Sequence, residues 1–131
     1  AALRYLNRVT ARRTVSFLIS DFMDRDFQKP LAAAARRHDL IAIRVQDRRE
    51  FDWPGAGVIE WEDAETGLRR AIDTSDRQVR EQMRRLHEAA RADLARDLRG
   101  AGVDLIAVET GRPYVQELVR FFTARERRLA T

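Results

Sequence analysis

At 131 residues, with 44% apolar and 35% charged side chains, the chain is sized for one folded domain or a piece of one, with a real core and an ion-rich surface of mixed sign. Its formal charge is +4, from 25 basic and 21 acidic residues, and all the basic residues but Lys29 are arginine. The absence of cysteine excludes disulfides and thiolate metal sites, and no apolar segment approaches the ~20 residues that span a bilayer.

Ala1 to Arg13 carries Leu3, Leu6 and Val9 at helical spacing with Arg4, Arg8 and Arg12 between them, which predicts a helix laying one face on a sheet. Next comes an apolar, β-rich run, Val15, Phe17, Leu18 and Ile19, that ends on Ser20-Asp21 and is followed by Asp24 and Asp26. Such a run predicts a strand from Val15 to Ser20 buried on both faces, as in a parallel sheet covered by helices. Phe27, Leu31, Ala34, Ala35 and His38 mark a helix, with Pro30 tolerated in its first turn and His38-Asp39 closing it. Leu40 to Val45 is a second apolar run, ending on Gln46-Asp47. Strand, helix and strand on short links make a βαβ unit with a right-handed crossover.

Arg48 to Gly57 is a loop by virtue of Pro54, Gly55 and Gly57. Val58 to Trp61 and Leu68 to Ile72 flank a turn ending in Gly67, which predicts a small antiparallel ribbon. Ser75 is placed to cap a long helix. In that helix Val79, Met83, Leu86, Ala90, Leu94 and Leu98 form one continuous stripe, stopped by Gly100 and Gly102. Val103 to Val108 is a third buried strand ending on Glu109-Thr110-Gly111. Pro113 sits near the start of a last helix, whose Val115, Leu118, Val119 and Phe122 are expected to face inward. The expected architecture is α/β, half of a doubly wound, Rossmann-like domain: three parallel strands, helices on both faces and a small antiparallel ribbon, with 1–131 as a single partial domain.

In open parallel sheets, ligands bind beyond the carboxyl ends of the strands. Here those ends hold Ser20-Asp21, Asp47-Arg48-Arg49-Glu50 and Glu109-Thr110-Gly111. A hard divalent cation takes oxygen ligands, and Asp21 with Ser20 or Thr110 offers some. An Asp after a strand also caps the turn that follows, and position alone favours that role. His38 and His87 show no HxxxH or HExxH spacing, and there is no GxSxG elbow, GxxxxGK loop or GxGxxG turn after a strand. Glu60, Glu62, Asp63 and Glu65 do not match an EF-hand loop and read as a solvated ribbon face. Trp53 and Trp61 fit either an exposed recognition pair or core filler. The arginines are interleaved with acids, as in Asp76-Arg77 and Arg96-Asp97, and only Arg12-Arg13 and Arg125 to Arg128 look like patches. Nucleic acid is therefore not the expected partner.

LISDF at Leu18 to Phe22, ARRHDLIAIRVQDRREFDWPGAG at Ala35 to Gly57, EDAETG at Glu62 to Gly67 and ETGRPYVQELVRFFTARERR at Glu109 to Arg128 follow one another in that order. Together they resemble the C-terminal half of the bacterial proteins called domain of unknown function 58. The resemblance implies a von Willebrand factor A-like domain, a MoxR-type AAA ATPase as partner, and strand ends that can form a metal-ion-dependent adhesion site. Such a site uses a DxSxS motif after the first strand, a Thr from a later loop and an Asp after the fourth strand. The strand ending at Ser20 resembles that fourth strand, so Asp21 matches the last ligand, with Ser20 and Thr110 as accessory candidates. DxSxS and the Thr-bearing segment are not in this sequence. No cofactor is therefore expected in this chain, and Mg²⁺ belongs to a fuller domain. The same resemblance leaves the Val15 to Ser20 strand without its usual neighbour. Val15, Phe17 and Ile19 are then expected to form an exposed edge that pairs with another chain as a homodimer.

The expected function is a non-enzymatic protein-interaction module. The alternatives are a Mg-dependent hydrolase or phosphoryl-handling enzyme at Asp21, Asp47 and Thr110, and nucleic-acid binding by the Arg-rich faces. The chain opens in AALRYLNRV without an initiator methionine and shows no signal peptide, so it is expected to be cut from a larger protein and to lie in the cytoplasm. Family members often carry transmembrane segments N-terminal to this region, so the resemblance also allows a membrane-anchored parent.

Overall fold

The computed structural model describes residues 2–23, 26–63 and 66–130. Asp24 and Glu65, singled out above, lie outside the described residues. The chain divides into two compact units, one made of residues 1–46 and 93–131, the other of residues 47–92.

The first unit is built on a parallel sheet in the order β1-β2-β5, with β1 at Val15–Ser20, β2 at Asp39–Gln46 and β5 at Asp104–Glu109. The register sets Phe17 beside Ile41 and Ile19 beside Ile43, and Ile43 in turn beside Ile106. Register partners share a face, so the sheet has two distinct sides. One side carries Leu18, Leu40, Ala42 and Leu105. It packs against α1 (Ala2–Val9), α2 (Gln28–Arg37) and the last turns of α3 (Arg77–Gly100), around a core of Leu3, Leu31, Ala34, Leu40, Ala42, Leu94, Leu98 and Val103. The other side carries Phe17, Ile41, Ile43 and Ile106 and meets α4 (Val115–Leu129). Phe122 of α4 meets Phe17 edge to face at 6.1 Å between ring centroids. Arg125 of α4 forms ion pairs with both Asp39 and Asp104, at the starts of β2 and β5. The sheet thus has helices on both faces, as the sequence predicts.

The second unit holds a short 3-10 turn at Arg48–Glu50, the antiparallel ribbon of β3 (Val58–Glu62) and β4 (Arg69–Asp73), and the first part of α3. Thr74, fully buried, donates its hydroxyl to the Gly57 carbonyl at 2.6 Å and accepts from the Ala56 amide at 3.1 Å. His87 stacks on Phe51 at 4.5 Å. The ribbon acids are solvated: Arg69 pairs with Glu62 at 3.0 Å and Glu60 at 3.8 Å, all three being exposed. Trp53 is half-buried and Trp61 is 37% exposed.

Several expectations are corrected. β1 is not buried on both faces: its exposure alternates, leaving Val15, Phe17 and Ile19 at 60, 49 and 65%. The reason is that α4 reaches that face of β1 through Phe122 and leaves the rest of it open. The first helix ends at Val9 rather than Arg13. Asp76, not Ser75, caps α3, accepting from the Gln78 amide at 2.7 Å, while Ser75 hydrogen-bonds to Asp73. The stripe on α3 is not uniformly covered, since Leu94 and Leu98 are buried but Leu86 is 58% exposed. On α4 the half-buried positions are Leu118, Phe121 and Arg125, whereas Val115 and Val119 point outward. The spacing i, i+3, i+7 is helical in both cases, but the ion pair of Arg125 sets the phase.

Candidate functional site

The open side of β1 is the most reactive-looking backbone of the first unit. N–H and C=O groups of one strand residue point to the same side, and the side alternates along the strand. The Thr14 carbonyl accepts from the Asp39 amide at 2.8 Å, so the even-numbered residues through Ser20 aim at β2. The backbone groups of Val15, Phe17 and Ile19 therefore aim at the free edge, where no strand pairs with them among the described residues. The same three side chains stand on the exposed apolar face.

That face continues into a groove of about 550 Å³ at the carboxyl ends of the strands. Ile19, Ile43, Val45 and Val108 come from the sheet, and Tyr114 and Leu118 from the start of α4. The β5–α4 link closes one rim: Gly111 takes a left-handed turn at φ +76°, and Arg112 pairs with Glu109 at 3.2 Å. Ile19 belongs to both the edge and the groove. Sequence reasoning named Ile19 but missed Ile43, Val45, Val108, Tyr114 and Leu118. An apolar residue in a strand looks the same whether a helix covers it or a groove exposes it.

The residues considered as metal ligands are distributed differently. Ser20 and Asp21 sit together: the Ser20 Oγ accepts from the Phe22 amide at 3.0 Å, and Asp21 Oδ1 accepts from the Met23 amide at 3.2 Å. These bonds hold Phe22 at φ +58°, a left-handed backbone that a bulky residue rarely adopts, with its ring against Phe27 at 5.4 Å. Ser20 faces a second cavity of about 350 Å³, with Leu3, Leu18, Phe22 and Phe27. Thr110 lines the groove on the opposite side of the sheet, its amide donating to the Gln46 carbonyl at 2.9 Å. β1 and β5 flank β2, so these strand ends lie about 10 Å apart, two strand spacings. Asp47 belongs to the second unit, where it accepts from the Arg49 amide at 2.8 Å and caps the 3-10 turn. Among the described residues, no three His, Cys, Asp or Glu side chains stand close enough to share a metal ion. A hard divalent cation takes about six oxygen ligands. The Ser20-Asp21 turn supplies a small part of such a set.

Two electrostatic features are local. Asp73 is held below its ordinary value of 3.8 by the hydrogen bonds that the Ser75 hydroxyl and amide donate to it. Arg125 is pushed above its ordinary, already strongly basic range, first by its hydrogen bond to Asp39. Neither stands in the groove. Among the described residues, no helix is long and apolar enough to cross a membrane.

Comparison with known proteins places these features in context. The family model described as protein of unknown function DUF58 matches residues 1–93. An uncharacterized protein of Mycobacterium avium is 38% identical over 127 residues, which is 96% of this chain and 75% of that protein. Uncharacterized proteins of Mycobacterium bovis and Mycobacterium tuberculosis are each 37% identical over 127 residues, 96% of this chain but 40% of their own length. No solved structure matches the chain.

Proposed function

The chain belongs to the family of proteins of unknown function DUF58, and from that premise we propose that it is a non-enzymatic protein-interaction module of the von Willebrand factor A-like kind. The observation that carries this reading is the edge of β1, where backbone groups that no strand pairs with among the described residues, and the exposed Val15, Phe17 and Ile19, adjoin an apolar groove. An extended segment of another protein adds to such an edge by main-chain hydrogen bonds, with alternate side chains seated on the apolar face. A MoxR-type AAA ATPase is the proposed partner, acting with this module on protein clients.

The test is direct binding of purified MoxR-type ATPase to the labelled chain, read by fluorescence anisotropy. Ile19→Lys is expected to weaken binding by on the order of tenfold or more, because an apolar anchor contributes about 1.5–3 kcal/mol when buried. Circular dichroism should stay unchanged. Binding indifferent to Ile19→Lys would overturn the reading. Calorimetry with Mg²⁺ addresses the enzyme alternative: no sub-millimolar binding is expected, and binding lost in Asp21→Ala would favour the Mg-dependent reading instead.

A further inference from the structure

We propose that the outer surface of α1 and α2 is a basic patch that rests on the surface of an anionic lipid bilayer. The patch lies on the side of the sheet opposite α4 and does not draw on the reading of β1.

No aspartate or glutamate occurs from Ala2 to Ser20 or from Phe27 to His38, yet these stretches carry Arg4, Arg8, Arg12, Arg13, Lys29, Arg36 and Arg37. All of these cations are exposed, and none forms an ion pair among the described residues. Elsewhere arginines alternate with acids and pair with them, as Arg84 and Arg85 do with Glu81 and Arg120 with Glu117. Like charges gathered without counter-charges repel one another, so the folded chain alone gains nothing from the grouping.

The fold sets these charges on one surface. Residues turn by about 100° along a helix. On α1 Leu3 is buried, Leu6 and Asn7 are half-buried, and Tyr5 and Arg8 stand on the opposite side. On α2 Leu31 and Ala34 are buried, and Lys29 and Arg36, two turns apart, stand opposite them. Both helices pack on the same side of the sheet and against each other. Arg37 ties their ends together, its guanidinium donating to the Asn7 carbonyl at 2.7 Å and the Thr10 carbonyl at 3.5 Å. Arg12 and Arg13 follow in the link to β1. Acids enter only at the start of α2, where Asp26 precedes it and Asp97 accepts from Gln28 at 2.9 Å.

Tyr5 and Val9 point to the class of partner. They are 60 and 57% exposed, one turn apart, with Arg8 between them. In the interfacial layer of a bilayer, cations meet headgroup phosphates while neighbouring apolar side chains enter the acyl boundary. A nucleic acid offers the same phosphates but leaves Val9 set against them. The bilayer satisfies both parts of the patch.

Co-sedimentation with lipid vesicles tests the proposal. The chain is expected to bind phosphatidylcholine vesicles containing about 30% phosphatidylserine, but not phosphatidylcholine alone, and to dissociate as salt rises from about 0.1 to 0.5 M. Arg8→Gln combined with Arg36→Gln should lower the partition coefficient on the order of twentyfold, about fivefold for each cation near the surface. Arg84→Gln combined with Arg120→Gln removes the same net charge outside the patch and should change it less than about twofold. Tyr5→Ser should weaken binding about threefold, the share of its apolar contact. All five residues are exposed or half-buried at the surface, so circular dichroism should stay unchanged. No binding to the anionic vesicles, or equal losses from the two double variants, would overturn the proposal. So would binding to duplex DNA at the same salt that needs Arg8 and Arg36 while vesicle binding does not, which would make the patch a nucleic-acid surface.

Discussion

Arg125 shows how one side chain fixes a helix. Its guanidinium, 15% exposed, bridges Asp39 and Asp104, and Arg128 adds a longer contact to Asp104 at 3.4 Å. Removing it leaves two carboxylates facing each other beneath α4. Arg125→Met is expected to lower stability by about 2 kcal/mol in urea unfolding, less than the 3–5 of a fully buried pair because both acids are partly exposed. A raised basic group contributes its stability below the unfolded pKa and loses it only as pH climbs through the folded value. For Arg125 that loss lies above the ordinary, strongly basic arginine range, so its share is constant across ordinary pH. Asp73 runs the other way. Its lowered pKa contributes above 3.8 and is lost as pH falls through the folded value, below 3.8. Amide exchange at Ser75 should therefore be slow and flat from pH 7 to 5, on correction for the intrinsic rate, and quicken below pH 3.8. Asp73→Asn should abolish that step.

At the scale of elements, the end of α3 is written locally. The Gly102 amide donates to the Arg99 carbonyl at 3.0 Å and the Val103 amide to the Leu98 carbonyl at 2.9 Å, a Schellman pair closed by the contact of Val103 with Leu98. Gly102 sits at φ +74°, and a Cβ added there meets nothing within 4 Å. Gly102→Ala is thus expected to cost about 1 kcal/mol of backbone strain with no loss of packing, seen as a fall in Tm with unchanged near-ultraviolet dichroism. β1 is the opposite case. Its six residues foretell a strand, yet nothing within them says that β2 and Phe122 cover one edge and part of one face while the rest stays bare.

For the whole molecule, the first unit is closed by chain segments far apart in sequence, residues 1–46 and 93–131. Leu98, fully buried, joins them by packing with Leu3, Leu31 and Leu40 in one core. Leu98→Ala should destabilise the β1-β2-β5 sheet by about 2–5 kcal/mol. Leu86→Ala, on the same helix but 58% exposed, should stay within about 0.5 kcal/mol. Equal losses from both would mean that the whole stripe is packed, as its periodicity alone suggests.

Much of the fold was legible because its signals are local. Apolar runs of five or six residues marked the strands, Gly100 and Gly102 marked a helix end, and Pro54 with Gly55 and Gly57 marked a loop. The site was legible only in part. Ser20 and Asp21 were found at a strand end, but their use as turn caps and the separation of Thr110 follow from the order β1-β2-β5. Hydrophobicity dictates which residues leave water, whereas strand order dictates which of them find a partner. Composition and periodicity therefore determined the three parallel strands, the ribbon and the helices. Tertiary structure decided how α4 lies on the sheet, with Phe122 on Phe17 and Val119 turned outward, because helix phase depends on contacts such as that of Arg125 with Asp39 and Asp104, far away in sequence.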